Sequence, residues 1–287
     1  MMREDGALMR HELAYILGQM RNRDACPFLT SILEDESDDI LVRHESAEAL
    51  GAIGHSSSIA VLEKYSKHPA SEISETCQIA LELINWKVQQ EALEESKGNH
   101  CTNQRGLYLS VDPAPPLTEA LSIADLQKNL LDPSLSLFHR YRAMFSLRDA
   151  NSDSSALALV SGFDDKSALF RHEIAFVLGQ MQRIVTIPGL ADILKNKGEH
   201  RMVNKFLTND FKHLTFEIKH LDIYPHLRSN ILSSSQVRHE AAEALGAIGG
   251  VKAEKILSLY LDDDERVITE SCEVALDAMD YWANEFC

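Results

Sequence analysis

Four histidine-glutamate dipeptides, His11-Glu12, His44-Glu45, His172-Glu173 and His239-Glu240, each follow an arginine and each lead into an Ala/Leu-rich stretch. Imidazole nitrogens and carboxylate oxygens are transition-metal donors, and two histidines with one carboxylate leave positions open on non-haem iron(II) for oxygen chemistry. A structural role competes with that reading, since Arg can link neighbouring helical repeats and Glu suits the positive first turn of a helix. A single pair would be read that way. Four pairs in one register are harder to explain, because a solvated first-turn position has no need of His, a middling helix former. The same register elsewhere holds Glu75-Thr76 and Tyr141-Arg142, so the scaffold itself does not demand the dipeptide.

The elements that must position these side chains are written twice. "RHELAYILGQM" (10–20) returns as "RHEIAFVLGQM" (171–181), "VRHESAEALGAIG" (42–54) as "VRHEAAEALGAIG" (237–249), and "SETCQIALEL" (74–83) as "TESCEVALDA" (269–278). Within each copy, apolar residues recur at helical spacing, as in Ala47, Leu50 and Ile53, and Gly54 supplies a stop. A second apolar segment such as "SSSIAVLEKYSK" or "IPGLADILKN" completes a helix pair of about thirty residues, the size of a stacked solenoid repeat. The expected fold is an all-α solenoid of HEAT-like repeats in two tandem-duplicated halves, 1–95 and 121–287. The joining segment 96–120 carries Pro113, Pro115 and Pro116, which forbid continuous helix, so "DPAPP" reads as a fixed crossing.

Each His-Glu pair is expected at the start of a repeat's first helix. Helices one repeat apart pack at about 8–10 Å, so equivalent first-turn side chains converge, and each half supplies two imidazoles and a carboxylate. If the halves face each other, two metals come close enough to share bridging oxygen ligands. Neighbouring residues on a helix point about 100° apart, so a His and the Glu after it need not serve one role. Some of the four glutamates would orient ligands or hold substrate. Zinc would accept the same donors, but its structural sites prefer closed tetrahedra, often with Cys. Here the cysteines lie outside the register; Cys77 and Cys272 occupy equivalent apolar positions and read as buried.

Composition narrows the partners. The chain has 287 residues, 45% apolar content and a formal net charge of −16, which opposes nucleic acid and anionic membrane surfaces and suits a cationic partner. Five cysteines without a C-x-x-C pair read as reduced thiols of a cytosolic protein. The charged start "MMREDGALMRHELAY" is unlike a signal peptide, and no apolar run reaches membrane-spanning length.

"RHELAYILGQM", "VRHESAEALGAIG", "YLSVDPAPP", "RYRAMFSLRDA", "ALFRHEIAFVLGQM", "VRHEAAEALGAIG" and "ESCEVALD" together resemble the deoxyhypusine hydroxylase (deoxyhypusine monooxygenase) family of HEAT-repeat di-iron proteins, over nearly the whole chain apart from residues 203–236. The resemblance implies a di-iron monooxygenase, and the chain is expected to be a cytoplasmic monomer. It would use two Fe2+ ions, with dioxygen as co-substrate, to hydroxylate the deoxyhypusine side chain of eukaryotic translation initiation factor 5A to hypusine. It further implies that His11, His44 and Glu45 hold one iron and that His172, His239 and Glu240 hold the other. Glu12 and Glu173 would lie beside the metals, contacting the amine-bearing substrate chain or serving as further ligands. No catalytic side chain beyond the metal centre is implied. Two rival classes are an inactive repeat scaffold that binds a protein through an acidic face, and a repeat-protein lyase acting on a bound pigment; two irons per chain would favour the hydroxylase, and none would favour scaffold or lyase.

Two features depart from a complete duplication. The second half has a full unit, residues 135–168, ahead of its first His-Glu pair, whereas only ten residues precede His11, so the first half is expected to lack its first repeat. Spacing gives the other: 33 residues separate His11 from His44, but 67 separate His172 from His239. Removing residues 203–236 restores the register. That insert is expected to be a translated intron or gene-model artefact, since it begins with Val, whose codons start GT, and ends with Gln, which CAG encodes. If translated, it is expected to form a mobile excursion, with "FKHLTFEIKHL" (211–221) as a short helix.

Overall fold

A computed structural model describes residues 6–97, 108–196 and 225–285, and among them every regular element is a helix. Two compact units are present, Met1–Phe170 and Arg171–Cys287. The first stacks helix pairs: α1 (Ala7–Met20) with α2 (Cys26–Glu34), α3 (Ile40–Ile53) with α4 (Ile59–Tyr65), the long α5 (Ser71–Lys97), then α6 (Ile123–Leu131), α7 (Leu137–Ala150) and α8 (Asp153–Val160). Helix α9 (Ala168–Met181) begins in this unit and continues into the second, which adds α10 (Ile187–Lys195), α11 (Pro225–Ile248), α12 (Gly250–Leu257) and α13 (Arg266–Glu285). Each unit is a solenoid stack: α3 packs on α1, α2 and α5, and α11 packs on α10, α12 and α13. Among the described residues no helix is long and apolar enough to cross a membrane.

Local chemistry sets the helix boundaries. The Asp39 carboxylate accepts the Leu41 amide at the start of α3, Ser136 accepts the His139 amide at the start of α7, and Ser152 with Ser155 closes a capping box on α8. At the other end Gly54 takes φ +70, a left-handed residue that stops α3 where the sequence predicts. Pro27 and Pro188 sit in the first turns of α2 and α10, where a missing amide hydrogen costs nothing.

Buried arginines join consecutive helices. The Nε of Arg43 donates to Leu33 O at 3.1 Å, that of Arg140 to Leu130 O at 2.8 Å, and that of Arg238 to Leu194 O at 2.8 Å. Each acceptor is the penultimate residue of the preceding helix, a carbonyl without an intrahelical donor. The cation is then balanced in the next loop, by Asp165 for Arg140 and by Asp263 and Glu265 for Arg238, while Arg10 pairs with Asp38. In the 96–120 segment, the backbone of Val111 exchanges two hydrogen bonds with the Gln19 side chain, Asp112 is gripped by Arg148, and Arg142 donates to Pro115 O and Pro116 O. Residues 111–116 are thus fastened to α1 through Val111 and to α7 through the "DPAPP" stretch.

One element differs from expectation. Residues 225–236, read as part of an excursion, are helical and run without a break into the repeat helix to Ile248. After Pro225 that stretch contains no Gly or Pro to interrupt it. Residues 203–224, including the 211–221 stretch expected to be helical, lie outside the described residues.

Candidate metal centre

In the first unit, His11 is the fifth residue of α1 and His44 the fifth of α3, with Glu45 beside it. All three are buried, at 3%, 0% and 4% exposure. They offer donor atoms that all lie within 4.8 Å of one another. His11 Nε2 stands 3.2 Å from Glu45 Oε2, and the two imidazole centroids are 5.7 Å apart. Glu12 is placed differently. Its carboxylate, 40% exposed, meets the opposite ring nitrogen, His11 Nδ1, at 2.9 Å. That leaves Nε2 facing Glu45 and His44, the arrangement in which a carboxylate fixes the tautomer and orientation of a metal-binding His.

The second unit repeats the geometry. His172, on α9, has its Nε2 3.4 Å from Glu240 Oε1, and its ring centroid lies 5.5 Å from that of His239 on α11. His172, His239 and Glu240 offer donors within 4.8 Å of one another and are all buried. Glu173 is also buried, at 2% exposure, unlike the half-open Glu12. His172 is the fifth residue of its helix, as expected, but His239 sits well inside α11, because residues 225–236 extend that helix upstream. The approach of His172 to His239 and Glu240 survives this change, since α9 and α11 pack closely side by side whatever the point at which α11 begins.

A glycine two turns beyond each first histidine permits that packing. Seven residues bring Gly18 back to the face of His11, and Gly179 back to the face of His172. A Cβ on Gly18 would lie 2.8 Å from Ala49 Cα, and one on Gly179 would lie 3.1 Å from Ala244 Cα. Neighbouring helices therefore touch backbone to backbone beside the histidines.

The electrostatics favour a cation at this point. Burial opposes charging of the His11 imidazole, yet the Glu45 carboxylate, with Glu12 behind it, outweighs burial and holds the His11 pKa well above the ordinary histidine range. Two carboxylates thus draw positive charge into the buried His11 imidazole, and a divalent ion bound by the same donors answers that demand. The nitrogen and carboxylate set suits a transition-metal ion, with positions left over for other ligands.

Sequence reasoning passed over Glu243. Its Oε1 lies 3.4 Å from His239 Nδ1, one turn along α11. The signal was present, because the repeated motif keeps a Glu four residues after the His in both copies, at Glu48 and Glu243. The glycines at seven-residue spacing were equally visible and equally unread.

Comparison with known proteins accords with this geometry. A family model described as HEAT repeats matches residues 2–82, and one described as PBS lyase HEAT-like repeat matches residues 237–263. The chain is 41% identical to the deoxyhypusine hydroxylase of Drosophila melanogaster over 278 residues, covering 97% of this chain and 78% of that protein. Identity to the human deoxyhypusine hydroxylase is 42% and to that of Bos taurus 44%, with the same coverage. The solved structure of human deoxyhypusine hydroxylase in complex with glycerol superposes with a TM-score of 0.78 at 41% identity, covering 97% of this chain and 82% of that one.

Proposed function

Because the chain belongs to the deoxyhypusine hydroxylase family, we propose that its two His-Glu sets hold two iron(II) ions and that it hydroxylates the deoxyhypusine side chain of translation initiation factor 5A with dioxygen. The observation that carries this reading is the matched pair of buried sets: Nε2 to carboxylate at 3.2 and 3.4 Å, and imidazole centroids at 5.7 and 5.5 Å, each drawn from two neighbouring helices. Iron, when bound, supplies activation of dioxygen and insertion of one oxygen atom at a C–H bond.

The chain's own residues supply position and charge. His11, His44 and Glu45 would hold one ion, and His172, His239 and Glu240 the other. Glu12 accepts a hydrogen bond from the Nδ1–H of His11 and so orients the ring with Nε2 toward the metal position; the Glu243 carboxylate lies 3.4 Å from His239 Nδ1, a charge contact without a hydrogen bond. The partly exposed carboxylate of Glu12 also has room to meet an ammonium group, as a polyamine-derived substrate requires. The net charge of −16 favours approach of such a cationic chain. Burial of the ligands keeps bulk water away from the reacting centre.

Metal analysis joined to an oxygen-dependent hydroxylation assay on a deoxyhypusine-bearing substrate tests the proposal. Two irons per chain are expected, falling to one in His44→Ala and in His239→Ala. Retention of two irons by both variants overturns the assignment.

A further inference from the structure

The two halves diverge at one buried charge. Arg238 is fully buried; its Nε donates to Leu194 O, its guanidinium faces the Tyr260 ring at 6.0 Å, and its two terminal nitrogens are taken by Asp263 at 2.7 and 3.2 Å and by Glu265 at 3.2 Å. Arg43 occupies the same register. Its Nε donates to Leu33 O and its guanidinium faces Tyr65 at 5.7 Å, but the residues standing where Asp263 and Glu265 stand are His68 and Ala70. The backbone there is unchanged, since the Ala70 amide donates to His68 Nδ1 at 3.1 Å just as the Glu265 amide donates to Asp263 Oδ1 at 3.1 Å. Both carboxylates are missing from a matching backbone frame, while the first turn of α5 carries one buried carboxylate, Glu72, where the second copy has Val267.

Arg43 is 5% exposed, and its Nη2 is buried with no hydrogen-bond partner among the described residues. It forms no ion pair among them either; Glu36, exposed on the loop before α3, acts on His68 only through its field. The loop has lost its acidic charge as well, reading Lys67-His68-Pro69-Ala70 where the second copy reads Asp262-Asp263-Asp264-Glu265, and burial together with the Arg43 charge holds the His68 pKa below the ordinary histidine value. The first amides of α5, which starts at Ser71, add the positive end of a helix dipole.

We propose that Arg43, His68 and the start of α5 form a binding site for a small free oxyanion, occupying the place that the Asp263 carboxylate fills in the second copy. The Arg238–Asp263 contact defines the ligand class: two oxygens of one planar group meet two terminal nitrogens, a fork that an oxyanion reproduces and a halide does not. Ala70 in place of Glu265 opens the volume of a longer side chain, and His68 and Ala70 are both partly exposed, so the site communicates with solvent. The bound anion would tie the start of α5 to α3 at the residue next to His44, and this would hold whether or not the metal assignment does.

The test uses the full chain with its metal complement and sodium sulfate as probe, titrated to about 10 mM against sodium chloride of equal ionic strength. Wild type is expected to gain a saturable rise in melting temperature of about 2–4 °C and a one-site calorimetric isotherm. Ala70→Glu and the double variant His68→Asp/Ala70→Glu, which install the carboxylates of the second copy, are expected to melt higher without sulfate and to lose the response. The pair guards against a folding failure in either one. An equal sulfate response in wild type and variants, or no specific response in wild type, overturns the site.

Discussion

Replacing Gly18 by Ala tests whether the contact of α1 with α3 sets the geometry of the first metal set. The added Cβ would lie 2.8 Å from Ala49 Cα and 3.0 Å from Ala49 Cβ, so it falls about 0.6 Å short of the 3.4 Å at which ordinary van der Waals contact begins. The obstacle is backbone and cannot rotate away. Helix α1 must therefore move off α3 by about that amount, and because Gly18 and His11 share a face two turns apart, His11 moves with it. Metal–ligand distances tolerate only about ±0.2 Å, so a shift of about 0.6 Å is roughly three times what the site accepts. Stability changes less. Overpacking costs about 1–3 kcal/mol, while the higher helix propensity of Ala returns about 1 kcal/mol, leaving a net loss of about 0–2 kcal/mol. The expected outcome is a folded, helical variant that retains one iron in place of two, measured by metal analysis beside a denaturant melt. Gly179→Ala is the internal control: its nearest contact is 3.1 Å, so the neighbour needs to give by only about 0.3 Å and more iron should remain. Full iron occupancy in Gly18→Ala, with wild-type affinity, would refute the idea that close helix approach positions the ligands.

Glu45→Ala and Glu240→Ala should each remove one iron, whereas Glu12→Ala, which strips only the partner of His11 Nδ1, should keep both with affinity lowered about 10–100-fold in competition with a chelator. Asp263→Ala leaves the fully buried Arg238 short of its bidentate partner and should destabilise the second unit by about 3–5 kcal/mol in urea unfolding, far more than Asp38→Ala, whose Arg10 partner is partly exposed. Burial pushes the Cys77 and Cys272 thiols up to about 12, so near pH 8 only about one molecule in ten thousand carries either thiolate. Peptide-resolved alkylation should find both unreactive in the folded chain and labelled once it unfolds; rapid native labelling would contradict their burial. Transcript sequencing addresses residues 203–236: reads joining the codons of Met202 and Val237 are expected, and transcripts carrying only the uninterrupted insert would refute the artefact reading.

Sequence alone determined the all-helical repeat fold, because apolar spacing, the Gly54 stop and the paired copies are local signals that stacked helices must reproduce in every unit. The four His-Glu pairs were legible for the same reason: a residue kept in register by a repeating helix lands on the same face each time. The burial of every member but Glu12, and the convergence of His11 on Glu45 and of His172 on Glu240, followed from adjacent helices packing side by side. What sequence could not decide was the direction of each carboxylate. Glu12 and Glu45 each follow a His, yet one turns behind His11 and the other toward its free nitrogen, because the two helices present opposite sides to their shared contact. The continuous helix through residues 225–248 was likewise hidden, since no local breaker or cap marks where the repeat begins. Arg43 and Arg238 are indistinguishable in their own segments. Only folding sets each against a loop more than twenty residues downstream, where one meets Asp263 and Glu265 and the other meets His68 and Ala70. Charge balance in a buried site belongs to whatever the tertiary structure brings within a few ångströms, and that neighbour is not written beside the charge itself.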